Sequence, residues 1–177
     1  WGGENWVSLV GFRFLNLVVK GMPALGHRDF PEINLRFYVR REVAGEIRRG
    51  VVFLSELTPH RIVEWVARTV YSEPYKTLPM RSAVSETHTQ YELQQADKWQ
   101  GIAARPTGAW RGPNPMEEFF IEHYWGYNRQ TDGGAMEYEV THPKWRTRPA
   151  ELPRFDLDVE TLYGPEWIST LTRKPDS

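Results

Sequence analysis

Phe30-Pro-Glu-Ile-Asn-Leu-Arg-Phe-Tyr-Val-Arg-Arg41 alternates apolar and polar residues along its length. Ile33, Leu35, Phe37 and Val39 fall on one side, and Glu32, Asn34, Arg36, Tyr38 and Arg40 on the other. Successive side chains of a strand point to opposite faces, so this period of two predicts a β-strand with one apolar face. Ala44-Gly45 follows as a turn, and Ile47 to Ser55, with Gly50-Val-Val-Phe-Leu54, supplies the partner of an antiparallel hairpin.

Upstream, Trp6 to Lys20 is rich in β-branched and aromatic residues and reads as one long buried strand, with Gly11 marking a bend or a close backbone approach. Gly21 to Asp29 gathers turn residues and reads as loop. Downstream, Thr58-Pro59 has the form of a helix start, threonine as cap and proline at the first helical position. Ile62, Trp65, Val66, Thr69 and Val70 then repeat at helical spacing, and Pro74 sets the end near Ser72. Thr87–Gln94 and Trp99–Ala104 pair as strands around Ala96-Asp97, and Asn114-Pro-Met-Glu117 opens a second helix with a capping box. Tyr124–Arg129 and Ala135–Thr141 flank the hairpin signal Thr131-Asp-Gly-Gly134, and a short helix begins at Asp158 and stops at Gly164-Pro165. Several short strands with two or three short helices make an α+β fold dominated by an antiparallel sheet or partial barrel.

The 177 residues suit a single domain over residues 1–177, and the start at Trp1 beside an apolar stretch implies a missing native N-terminal segment. The chain has no cysteine, which excludes disulfides, thiolate metal sites and cysteine nucleophiles, and fits a cytoplasmic setting. No apolar run approaches the ~18–20 residues that span a bilayer, so no membrane partner is expected. The formal charge of −1 argues against a nucleic-acid partner. Arg36, Arg40, Arg41, Arg48 and Arg49 read as a solvated, charge-protected sheet face. The five histidines show no metal-ligand spacing, and neither a phosphate-cradling glycine loop nor a Gly-x-Ser-x-Gly elbow is present, so no metal or cofactor is expected.

Two groups of residues carry candidate chemistry. Glu32, Asn34 and Arg36 share a strand face and offer an acid/base, an amide and an anion clamp if that face looks into a pocket, or ordinary surface polarity if it looks at water. Lys76 lies in the proline-marked turn Ser72 to Met80, with Arg68 upstream and Arg81 close by. Its neutral amine would be a nucleophile toward a ketone once desolvation or a neighbouring cation favoured that form.

Val7-Ser-Leu-Val-Gly-Phe12, Phe30 to Val39, Arg49-Gly-Val-Val-Phe53, Ala67-Arg-x-x-Tyr71-x-x-Pro-Tyr75, Phe119-x-x-Glu-His-Tyr124 and Val140-x-His-Pro-x-Trp145 resemble, in order, the YqjF-like family of uncharacterised bacterial proteins. The resemblance implies an acetoacetate-decarboxylase-like fold, a twisted, partly open β-barrel with a central pocket, and a further N-terminal strand-bearing portion. Phe30-Pro31-Glu32 resembles the decarboxylases' Gly-Pro-Tyr-x-Glu, which implies that Glu32 is a pocket carboxylate. Ala67-Arg68 and Glu73-Pro74-Tyr75-Lys76 resemble their Gly-Arg-Glu and Tyr-Pro-Lys-Lys stretches. Aligned without gaps, the imine-forming lysine falls on Tyr75 and its activating neighbour on Lys76.

The reading that follows is a small-molecule site in a central barrel pocket, for an organic acid. Glu32 and Lys76 are its candidate catalytic residues, and Arg68, Tyr75, Asn34, Arg36 and Met80 its candidate ligand contacts. A Schiff-base enzyme using Lys76 on a keto acid, of decarboxylase, aldolase or dehydratase type, is the alternative. A structural or protein-interaction domain, with homo-oligomerisation, is the third.

Overall fold

The computed structural model describes residues 2–19, 22–23, 29–130 and 133–173. The loop expected over Gly21 to Asp29 lies largely outside the described residues, as do Thr131 and Asp132 of the second hairpin. The alternating segment from Phe30 to Arg41 lies within β4 (Phe30–Val43), which follows β1 (Val7–Phe14) and the two-residue strands β2 (Val18–Val19) and β3 (Met22–Pro23). β5 (Glu46–Thr58) returns antiparallel along β4, with Val43 opposite Glu46 across Ala44 and Gly45. Both turn residues have positive φ, 52° and 82°. That mirror-image turn follows the right-handed twist of the paired strands.

Beyond β5 come α1 (Arg61–Val66), a π-helical turn (Ala67–Tyr71), β6 (Tyr75–Thr77), β7 (Met80–Val84), β8 (Thr89–Gln95) and β9 (Lys98–Pro106). The chain continues through α2 (Pro115–Ile121), β10 (Trp125–Arg129), β11 (Ala135–Glu139), β12 (Ala150–Phe155), α3 (Val159–Tyr163) and α4 (Ile168–Leu171). The strands form a six-stranded sheet ordered β1-β4-β5-β10-β11 and a four-stranded sheet ordered β12-β9-β8-β7, with β6 also paired to β5. The same edge of β5 serves two parallel neighbours, β10 at Gly50 and Val51 and β6 from Glu56 to Thr58. The other strand pairings are antiparallel. The fold is α+β with a predominantly antiparallel, mixed sheet, and among the described residues no ladder joins the two sheets into a closed barrel.

The sheets meet through one apolar cluster: Ile33 and Leu57 of the large sheet against Tyr91 and Leu93 of the small one, with Leu157 and Leu162 closing the end. Gly11 sits at the contact, where a Cβ would strike the Tyr91 ring, which accounts for the close approach expected there.

Two local expectations change, and one open alternative is decided. The strand predicted over Trp6–Lys20 breaks after Phe14, where Asn16 takes a left-handed φ of 56° and its N–H donates to Asp29 Oδ1 at 2.7 Å. Thr58 ends β5 instead of capping a helix, because its backbone is drawn into the parallel pairing with Thr77, and α1 starts at Arg61 behind His60. The polar side of β4 is not wet at its first half, since Glu32, Asn34 and the apolar Ile33 and Leu35 are all buried. The Asn114 cap is as read, its Oδ1 accepting from Met116 N and Glu117 N while Glu117 reaches back to Asn114 N.

Candidate functional site

The buried polar face of β4 forms the centre of the site. Register places Asn34 opposite Glu56 on β5 and Glu56 opposite Tyr75 on β6, so three side chains stand in one row across three strands. Glu32, two residues along β4, joins the same face. Glu32 and Asn34 are each 1% exposed, Glu56 3% and Glu73 5%.

Glu73 reaches this row through the backbone. The π turn ends at Ser72, which takes a left-handed φ of 54°, and Glu73 N donates to Ala67 O at 3.1 Å. Asn128 of β10 pins the reversal by donating its Nδ2 to Tyr71 O at 2.8 Å and also to Ser72 O. π turns commonly mark functional positions, and here the turn aims a carboxyl into the centre. Tyr138 of β11 lies across Gly126, whose missing side chain leaves room for the ring, and its hydroxyl donates to Glu73 Oε1 at 2.5 Å.

The hydrogen bonds arrange three carboxyls, Glu32 by itself and Glu56 with Glu73. Glu32 accepts from Tyr75 OH at 2.8 Å and from Asn34 Nδ2 at 3.2 Å. Burial pushes its carboxyl up to about 7, opposed by those two donors and by Arg36 and reinforced by Glu73. Glu56, desolvated by burial and facing the charges of Glu32 and Glu73, is raised well above its ordinary value. Glu56 and Glu73 hydrogen-bond each other, which requires a proton between them, and Glu56 is the member that holds it. Burial raises Glu73 too, while the Tyr138 and Glu56 hydrogen bonds hold it down. The Tyr75 phenol is raised well above its ordinary value by burial and by the neighbouring carboxylates, so it stays a donor.

Glu32, Asn34 and Tyr75 are thus brought together. Arg36 stands at the edge of the group, donating its Nη2 to Phe120 O at 3.3 Å beneath the aromatic stripe of α2. Beyond it His123, packed on Tyr38 and Phe119, is driven down to about 4 by burial and by Arg49 and Arg36. The remaining candidates lie elsewhere. Lys76 follows Tyr75 in a strand, so it points to the opposite side, where it is exposed and its Nζ meets Leu162 O at 3.5 Å. Arg68 is 62% exposed, pairs with Glu64 at 3.2 Å, and lines an open surface hollow of about 530 Å³ with Trp65 and Thr77. Met80 packs against the apolar cluster between the sheets. Arg81 is engaged by Glu92 at 2.6 Å. The arginine-rich hairpin face is neutralised in part by Glu137, which takes both Arg41 and Arg48. No group of three or more His, Asp or Glu suited to a metal occurs among the described residues.

Sequence reasoning missed Glu56, Glu73 and Tyr138. The signal for Glu56 was present in the hairpin: once Asn34 is placed on a buried polar face, register carries that face to Glu56.

Residues 1–175 match the family model DUF2071, described as an uncharacterized conserved protein. The chain belongs to the DUF2071 family. Its similarity to the uncharacterized protein YqjF of Bacillus subtilis, a bacterial relative, is 35% identity over 178 residues, 96% of this chain and 69% of that protein. The expected resemblance to the YqjF-like family is therefore met. Among solved structures, acetoacetate decarboxylase from Legionella pneumophila matches with a TM-score of 0.48 at 12% identity, over 90% of this chain and 76% of that one. Among the described residues no helix is long and apolar enough to cross a membrane.

Proposed function

We propose that this member of the DUF2071 family is a small-molecule-binding protein whose site is the buried polar face of the large sheet, with Glu32, Asn34, Glu56, Glu73 and Tyr75 as its contacts. The observation that carries the reading is the burial of three carboxyls and an amide in one group, with acceptor oxygens left over. Asn34 Oδ1 has no donor from the surrounding protein, and Glu56 Oε2 and Glu73 Oε2 have none beyond the proton the two carboxyls share. Buried polar atoms are nearly always satisfied, so a group of open acceptors on a built polar face calls for a partner. The chemistry favours a ligand that donates hydrogen bonds over the organic acid expected from Arg36 and Lys76 alone, because three glutamates outnumber the single arginine at the edge. Lys76 faces away from the group, and the Schiff-base reading has no geometric support. The lack of cysteine suits a reducing compartment, and the proposal places the protein in the cytoplasm.

A thermal-shift screen of small amines, alcohols and carboxylic acids tests the reading. Ligands raise the melting temperature of the wild-type protein by mass action and lose that effect in Glu32→Gln and Tyr75→Phe. A screen without a stabilising compound, or shifts that survive both substitutions, would refute it.

A further inference from the structure

We infer that the ligand of this centre carries a primary ammonium group, seated where Asn34, Glu56 and Glu73 meet. The inference rests on the reading of the buried face as a ligand site and adds the chemistry of the group it holds. Asn34 is 1% exposed and spends its Nδ2 on Glu32, leaving Oδ1 without a partner. Glu56 Oε2 and Glu73 Oε2 are equally enclosed and have only the proton that the two carboxyls share. Asn34 and Glu56 are direct cross-strand partners, which puts their side chains about 5 Å apart on one face, and Glu73 is in hydrogen-bond contact with Glu56.

Once the shared proton has left, Asn34 Oδ1 and the two carboxylates are all acceptors, so the complementary group is a donor with three hydrogens. An alcohol brings one, a carboxylate none, and a quaternary ammonium has the charge but no N–H; a primary ammonium brings three N–H donors and a unit positive charge. The resident cation does not fill the place, since Arg36 directs its Nη2 to Phe120 O.

Binding is then an exchange in which the ammonium enters and the proton shared by Glu56 and Glu73 leaves to solvent. Both carboxylates end ionised against the cation, and no bond other than that O–H is broken. The charged and titratable groups facing the seat are Glu32 on β4, Glu56 on β5, Glu73 before β6, Tyr75 on β6 and Tyr138 on β11, with Arg36 and His123 at the far edge. The two phenols stay protonated throughout, so the carboxyls alone exchange protons with the ligand.

Isothermal titration calorimetry on the full chain tests this with four probes of one carbon skeleton: butylamine, butyltrimethylammonium, butan-1-ol and butyrate, each in two buffers of different ionisation enthalpy from pH 6 to 8. Butylamine should bind at least tenfold tighter than the other three, release protons into the buffer, and gain up to about tenfold in affinity per pH unit for each proton released. Glu56→Gln keeps the shape and the donor to Glu73 but cannot ionise, and should weaken butylamine binding at least tenfold. The comparison among probes uses wild-type protein and stands even if that variant does not fold. Equal or tighter binding of butan-1-ol or butyrate overturns the ammonium and leaves the ligand site standing. Binding of butylamine that ignores pH, or that is unchanged in a folded Glu56→Gln, overturns the seat. Failure of all four probes overturns both the ammonium and the site.

Discussion

Replacing Glu32 by glutamine should make the protein more stable at pH 8 and leave it nearly unchanged at pH 4.5. The carboxyl moves from an ordinary 4.5 to about 7 on folding because the native state buries it. Below about pH 4.5 the group is protonated in both the folded and the unfolded chain, and nothing is lost. Between 4.5 and 7 the unfolded chain releases the proton while the folded protein retains it, so stability falls as pH rises. Above 7 the native carboxylate is ionised and the full penalty stands. At about 1.4 kcal/mol per pH unit the interval amounts to about 3 kcal/mol, or a melting-temperature difference of about 6–12 °C for a chain of this length. Glutamine suits the test because its amide reproduces the protonated acid: Oε1 still accepts from Asn34 and the NH2 group faces Tyr75. The assay is urea unfolding of both proteins at half-unit steps from pH 4.5 to 8. The difference curve reports Glu32 together with its coupling to Glu56 and Glu73, which contribute to the wild-type slope in the same direction. Parallel curves for the two proteins would show that Glu32 does not change its proton affinity on folding.

Tyr75→Phe removes a 2.8 Å hydrogen bond to Glu32 and should cost about 1–3 kcal/mol at pH 8, where the acceptor is ionised, but less at pH 5; urea unfolding giving equal losses at the two pH values would count against the pairing. Asn114→Ala deletes the acceptor of Met116 N and Glu117 N and should cost about 1 kcal/mol, read as a lower urea midpoint at constant slope. Lys76→Ala should change stability by no more than about 0.5 kcal/mol, and borohydride treatment of the wild-type protein with keto acids should leave Lys76 unmodified by peptide mass mapping, an adduct there being the contrary result.

The frame of the molecule was legible where one short-range rule decided the outcome. Period-two alternation marked β4, the Ala44-Gly45 turn set its return, and the Asn114 and Asp158 caps began helices whose N–H groups they satisfy. Thr58-Pro59 misled because the same residues answer two demands, a cap and a strand edge, and the parallel partner Thr77 lies 19 residues on, out of reach of any local rule. The site was half legible for a related reason. Glu32 and Asn34 share one strand and could be seen together, whereas Glu56, Glu73 and Tyr138 come from other elements and meet them only through register and the π turn. Lys76 drew attention as a nucleophile because Ser72 to Met80 reads as a turn; once Tyr75–Thr77 is a strand, adjacent residues must diverge.

That divergence gives chain length a chemical meaning. Tyr75 and Lys76 occupy the two sides of one short strand, so a slip of a single position would withdraw the phenol from the glutamates and present a primary amine in its place. The π turn just upstream already closes its hydrogen bonds over one residue more than an α-helix does and is where such a change could be absorbed without disturbing β5. Insertions and deletions between Ala67 and Tyr75 therefore act as substitutions at the centre of the protein, and relatives that differ in length there should be compared by the parity of their spacing before they are compared by residue identity.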